Sequence, residues 1–319
     1  MNQQISIFNI VCNNLSNAGD RYAAVTDYFD FENCIINKIC ITNKNSIFSS
    51  IPTNSIILIG GGGVYVNSSM MNYLSENFSD QVISWGCGFN YHFNWDENIN
   101  YLENYNPESR CTFFNKFLLN GIRDYIKGSY WVPCPTCMHS LFNISINNTD
   151  HLKKYNFVVY GHINYKDTGN LKLISDKLGF PYMENVETLS DIINFLLSGD
   201  VIITNSYHGV FWSSLLNRRV ICVPFSDKFF NFKNNTYLEY DLTKLLDICY
   251  IEKISKSLTV DTNFLQICRE RNISFSKIVS KLIGINIKPK LKIDIREITQ
   301  EEKVAAIKCL EKLGFREIK

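Results

Sequence analysis

Short runs of β-branched apolar residues alternate along the chain with stretches whose apolar positions recur at helical spacing. This is the pattern of parallel strands joined by crossover helices. Residues 5–12, 38–42, 55–59 and 82–86 read as strands of a first unit, and 155–161, 201–204 and 220–223 repeat the scheme. Helices are expected at 171–178 and 188–197 in the second unit. Between the halves, residues 143–154 are polar and rich in asparagine, as a solvated linker is. The expected fold is therefore α/β, with two doubly wound Rossmann-like domains, residues 1–145 and 146–285. Residues 264–283 read as one long helix after the second sheet. The tail, 286–319, carries a strand-like 291–295 and an amphipathic helix near 301–313, and no role is assigned to it.

One segment concentrates the chemistry. Residues 200–229, DVIITNSYHGVFWSSLLNRRVICVPFSDKF, place a histidine where a buried strand meets a helix. Asn205 and Ser206 are cap candidates, His208 and Gly209 follow, and Lys228 arrives after the next strand. The carboxyl ends of parallel strands line the ligand crevice. His208 is thus expected at the mouth of a site, with helix amides behind it facing an anion. The competing reading, a structural histidine near a helix start, is weakened by the donors gathered around it.

Those residues carry a resemblance. TNSYHGVFWSSLL followed by VPFSDKF resembles the signature of the polysaccharide pyruvyl transferase family, found in capsule and exopolysaccharide synthesis. NAGDRYA at 17–23, IGGGGVY at 59–65, GIRDY with WVPCPTCMH between 121 and 139, and CRERNISF at 268–275 match in the same order. The resemblance implies two domains facing a cleft (the GT-B architecture), with the long helix crossing back to the first domain. It implies a first domain on the acceptor side and a second on the phosphoenolpyruvate side. It also implies an enzyme that builds a pyruvate ketal on a sugar of a polysaccharide or lipid-linked oligosaccharide, releasing phosphate. Phosphoenolpyruvate is then a co-substrate, and neither cofactor nor metal is called for. Many members carry an arginine two residues before the histidine; here that position is Ser206.

Bulk properties narrow the partners. Lys+Arg number 32 against 31 Asp+Glu, so no basic field calls for nucleic acid. Eleven cysteines at irregular spacing do not form a disulfide framework in a chain of 319 residues, and they suggest a reducing compartment. The start lacks the features of a signal peptide and no stretch is long and apolar enough to span a bilayer, so a cytoplasmic location is expected. Peripheral contact with the inner membrane face is compatible with a lipid-linked acceptor.

Roles follow from residue type and place. His208 is the expected proton carrier. Arg123 is a planar partner for a carboxylate or phosphate and a replacement for the arginine absent at Ser206. With Lys228, Ser206, Gly209 and Asn205 it makes the expected donor side. Gly61 and Gly62 sit in a glycine run after a strand, which suits either a ligand loop or a tight turn. Asn17 and Asp20 follow the first strand, and Asp20 is either an N-cap or a sugar ligand. Cys134, Cys137 and His139 carry too few ligands for a structural zinc site; Cys134 and His139 are read instead as part of a loop facing the cleft. His162 closes a strand, as a further acceptor-side candidate or a plain loop histidine. Two rivals stand beside this reading: a GT-B glycosyltransferase using a nucleotide sugar, and a non-catalytic glycan-binding protein.

Overall fold

The computed structural model describes residues 4–12, 17–41, 45–63, 68–90, 116–127, 129–146, 149–163, 165–234 and 236–290. The strand expected at 291–295 and the helix at 301–313 lie outside the described residues. The first sheet is built from β1 (Ile5–Cys12), β3 (Cys34–Ile41), β4 (Ile56–Gly60), β5 (Val82–Cys87), β6 (Leu119–Ile122) and β7 (Tyr130–Trp131), in the order β3-β1-β4-β5-β6-β7. Every neighbouring pair in it is parallel. The second holds β8 (Tyr155–Gly161), β9 (Tyr182–Glu184), β10 (Gly199–Thr204), β11 (Arg219–Cys222) and β12 (Tyr237–Leu238), in the order β12-β11-β10-β8-β9. It too is parallel throughout. In both sheets the chain places its second strand on one side of the first and the later strands on the other. The order therefore reverses between β1 and β4 and again between β8 and β10, and ligands bind at such switch points.

Side chains alternate between the sheet faces with the period of two that strands impose. In the first sheet Ile57 and Ile59 face Met70, Met71 and Leu74 of α2 (Ser68–Asn77). Ile7, Leu58 and Ile83 face the central core. In the second sheet Val159, Val201 and Ile203 pack on α3 (Tyr165–Leu178) and α6 (Ile248–Ser257), numbering the helices in chain order. Val158, Tyr160 and Ile202 turn inward, to α4 (Leu189–Ser198) and α5 (Tyr207–Leu215). Both faces of both sheets are covered, which is why these strands read as nearly continuous apolar runs. The inner cores merge into one cluster, so the two domains are packed against each other.

The long helix α7 (Phe264–Ile283) makes that union. Phe264, at its start, packs against Phe211 of α5 at 6.1 Å between ring centroids. Further along, Asn272 Oδ1 accepts from Trp85 Nε1 at 2.8 Å, and Phe275 sits edge-on to Trp85 at 5.0 Å. The helix ends at Gly284, left-handed at φ 68°, as a glycine after a helix C-terminus allows. The chain then adds β13 (Ile287–Pro289) antiparallel to β2 (Phe29–Phe31) of the first domain. This is a GT-B-like arrangement with its crossing helix. One expectation changes: the described residues of 143–154 are no free linker. The 3-10 turns at Ser140–Ile146 and Asp150–Leu152 overlap that range, and Arg218 donates to Thr149 Oγ1 and to its carbonyl, each at 3.0 Å. No helix among the described residues is long and apolar enough to cross a membrane.

Candidate functional site

The two switch points meet face to face. After β1, Asn17 caps the short helix α1 (Ala18–Arg21), its Oδ1 accepting from Gly19 N at 3.0 Å. After β10, Ser206 caps α5 and His208 projects from the first turn. A Cβ placed on Gly19 would lie 2.0 Å from His208 Nδ1, so only glycine lets the two loops approach this closely. Asn185, from the loop after β9, ties the same edges together. Its Nδ2 donates to Asn17 Oδ1 at 2.9 Å, and its carbonyl accepts from Ala18 N at 2.7 Å.

His208 is 6% exposed, a departure from the open mouth expected of it. The first domain closes over it: Gly19 lies on the Nδ1 side, and Cys134 Sγ stands 3.4 Å from Nε2. Trp212, one turn along α5, lies 5.0 Å from the imidazole between centroids. Burial depresses the imidazole pKa well below its ordinary value, and the charges of Arg123, Lys228 and His162 depress it further. The resting imidazole is therefore neutral at pH 7. An anion beside those cations would offset their share of the depression, while the larger share from burial would remain.

Arg123 reaches this point from the end of β6. Its guanidinium carbon lies 3.7 Å from the centroid of the Tyr207 ring, which joins it to the second domain by a cation–π contact. Only 3% of the residue is exposed, its Nη2 donates to Phe89 O at a long 3.5 Å, and its Nε has no hydrogen-bond partner among the described residues. A buried guanidinium with so few acceptors is what a bound carboxylate or phosphate would satisfy. Asp124, next in the chain, does not fully offset it. Burial pushes its carboxyl up to about 7 against the opposing pull of Arg123 and of Phe89 N–H, with Asp227 adding to the rise. Lys228 is also buried, over Phe225 at 4.0 Å and Phe229 at 5.1 Å.

Other expected site residues take humbler places. Ser206 Oγ accepts from Gly209 N at 3.3 Å, and Val210 N donates to Ser206 O at 2.9 Å. Both amides are thus turned into the helix start, the Gly209 amide to the Ser206 hydroxyl oxygen as a cap and the Val210 amide to the Ser206 carbonyl, which leaves the Ser206 hydroxyl hydrogen as the donor of this group. Gly209 is needed because a Cβ there would meet Thr204 Oγ1 at 2.3 Å. Asn205 Oδ1 accepts from His162 N at 2.9 Å, holding the loops after β8 and β10 together. The N-cap of α1 is Asn17 and not Asp20, whose carboxylate accepts from Asn17 Nδ2 at 2.9 Å.

Gly61 and Gly62 adopt left-handed backbone, φ 66° and 74°. That favours glycine, and Gly62 N–H is turned to the sulfur of Cys134. His139 stands apart from the imidazole of His208, between the edges of Tyr22 and Tyr28, with Nδ1 accepting from Leu141 N. Cys137 turns to Asn272 of α7, and among the described residues no group of three metal-ligating side chains converges. The sequence reading assigns no role to Asn185 or Asp227, and takes Tyr207 only as a neighbour of the imidazole. Asp227 lay beside Lys228 in the same motif, and an acidic residue adjoining a cation there was the available signal.

No protein-family model matches the chain, and no curated protein matches it. Among solved structures it is similar to variants of the wall teichoic acid polymerase TagF. One shares 12% identity over 88% of each chain with a TM-score of 0.35, and another 12% over 88% of this chain and 90% of that one with a TM-score of 0.31. The fold and the site rest on this chain's own strand order and contacts.

Proposed function

We propose that the chain is a pyruvyl transferase. It takes phosphoenolpyruvate and a sugar bearing two suitably placed hydroxyls, on a polysaccharide or lipid-linked glycan precursor, and yields a pyruvate ketal and phosphate. The observation that carries this reading is one buried imidazole close to two buried cations, where two switch points meet. The sequence motifs around Arg123, His208 and Lys228 support the same choice of donor.

In this reading Arg123 and Lys228 take the carboxylate and phosphate of the donor. With the anion bound, His208 gains a proton and delivers it to the methylene carbon of the enol. One sugar hydroxyl adds at the neighbouring carbon; the bond from that carbon to the phosphate oxygen breaks, and the second hydroxyl closes the ring. Of the two hydroxyl protons released, one restores the imidazole and the other leaves with phosphate. His208→Ala is expected to lower turnover by about 10²- to 10⁴-fold, the span of general acid–base catalysis.

The deciding experiment incubates purified protein with phosphoenolpyruvate and a panel of galactosides, mannosides and lipid-linked oligosaccharide mimics, following phosphate release and acceptor mass. A donor-dependent gain equal to a pyruvyl ketal, lost in folded His208→Ala, is the expected result. Silence across the panel, with thermal stabilisation by a nucleotide sugar, would transfer the site to glycosyl transfer. Glycan binding without turnover of any donor would leave a binding protein.

A further inference from the structure

His208 Nε2 is approached by a chain of hydrogen bonds whose direction is fixed at its far end. The indole of Trp212 can only donate, and its Nε1 lies 3.1 Å from Thr136 Oγ1. With that lone pair taken, the Thr136 hydroxyl hydrogen points to Cys134 Sγ at 3.4 Å. The sulfur also receives the backbone N–H groups of Thr136 and Gly62. The two amides can only donate, and the Thr136 hydroxyl is oriented as a donor to Sγ. With Thr136 donating, the described neighbour of Sγ left to take the thiol hydrogen is His208 Nε2, at 3.4 Å.

We propose that Cys134 is a positioning residue whose thiol donates to His208 Nε2, so that the resting imidazole carries its proton on Nδ1, the nitrogen facing Gly19. The relay runs Trp212, Thr136, Cys134, His208, and returns to the helix it began on, since Trp212 stands four residues after His208. Burial keeps the thiol protonated, its pKa raised despite three donors at the sulfur, which is what a donating thiol needs. A neutral imidazole has one donor and one acceptor nitrogen, and the bond made by one decides the chemistry of the other. For pyruvyl transfer, on which this role of Cys134 rests, the nitrogen that delivers the proton is then Nδ1, on the side of the Asn17–Asp20 loop.

The test is long-range ¹H–¹⁵N NMR of the histidine side chains, tractable with five histidines in the chain and the His208 signals assigned by loss in His208→Gln. Wild type is expected to show a protonated Nδ1 and an unprotonated Nε2. Cys134→Ala should move the balance toward Nε2–H, and Cys134→Ser should restore it. Turnover in Cys134→Ala should fall by about 10- to 100-fold, the scale of losing a group that orients an imidazole from behind, with KM for phosphoenolpyruvate changed less. Thr136→Val reads the same relay one step back and serves if Cys134→Ala fails to fold. An Nε2–H tautomer in wild type, or unchanged spectra in both variants, overturns the proposal. The spectra need no turnover, so a wild type without pyruvyl transfer sinks the functional reading and leaves the tautomer to be decided on its own evidence.

Discussion

The switch points of the two domains have the same strand order and opposite chemical character. The second-domain point carries titratable and charged groups, His208 and His162, with Lys228 close behind them. The first-domain point brings mainly glycines and amides to the contact, Asn17, Gly19 and the left-handed Gly61 and Gly62, while its charged Asp20 and Arg21 turn to Asn17 and to the loop after β9. One side holds reactive groups and the other supplies close approach. Arg123 breaks the division, since it belongs to the first domain yet stacks on Tyr207 of the second. The site exists only while the domains are apposed, so variants on the bland side should be as damaging as variants on the reactive one.

Gly19→Ala is the strongest challenge to that claim. A methyl group 2.0 Å from His208 Nδ1 must push the domains apart or turn the imidazole. Overpacking of this kind costs about 1–3 kcal/mol, and because misplacement by an ångström costs on the order of 10²-fold in rate, turnover should fall by at least that much. Denaturant midpoint and steady-state kinetics check both. Wild-type turnover in a folded Gly19→Ala protein would show that the facing loops do not form the site together.

Arg123→Lys tests the residue that crosses between the domains. Lysine keeps the charge and loses the planar fork and the stacked geometry. KM for phosphoenolpyruvate should rise by about 10- to 100-fold, corresponding to the roughly 1–3 kcal/mol of a charge-assisted hydrogen bond, with KM for the acceptor nearly unchanged. An unaltered donor KM would remove Arg123 from the donor side.

The sequence revealed this division unevenly. Strands β1, β4, β5, β8, β10 and β11 are legible because β-branched runs buried on both faces leave a dense apolar signal. β6, β7, β9 and β12 hold two to four residues, LNGI, YW, YME and YL, too short for any period to register. In the candidate site, residue type and place in the motifs pointed to His208, Arg123 and Lys228, which the fold brings near one another. Their setting depended on contacts far apart in the chain, such as Asn17 with Asn185, 168 positions apart, or Cys134 with His208, 74 apart. Ser206 shows what the motif alone leaves open: a helix N-terminus offers the same amides to a cap as to an anion, and here the Gly209 amide meets the Ser206 hydroxyl oxygen.

A smaller effect should appear in the pH dependence of stability. The carboxyl of Asp124 rises from 3.8 to about 7 on folding, so between these values the folded chain holds a proton that the unfolded chain releases. Its contribution is fully present below about pH 4 and is lost as pH rises toward 7. His208 has the opposite sign: its pKa falls on folding, so its contribution is present above its ordinary value of 6.5 and is lost as pH drops below it. Asp124→Asn should remove the first slope and leave stability rising with pH up to about 6.5, a change of a few kcal/mol at most. Urea unfolding of both proteins from pH 4 to 8 reads this, and parallel profiles would place Asp124 in a more solvated setting than its 2% exposure indicates.

The smallest effect is expected at the outer edge of the same contact. Arg21 Nη2 donates to the carbonyls of Val186 and Glu187 at 2.8 and 3.0 Å, clasping α1 to the loop after β9. Both bonds are exposed to water, which competes for donor and acceptors alike, and no carboxylate is engaged by them. The neighbouring Asn17–Asn185 and Ala18–Asn185 bonds hold the same two loops without help from Arg21. Arg21→Ala should therefore cost about 1 kcal/mol in urea unfolding and change turnover by less than about threefold. If it matches Gly19→Ala in its loss of activity, apposition of the domains depends on the clasp at the rim more than on the packing of Gly19 against His208. The contrast between a reactive and a merely accommodating switch point would then have to be redrawn around α1 as a whole.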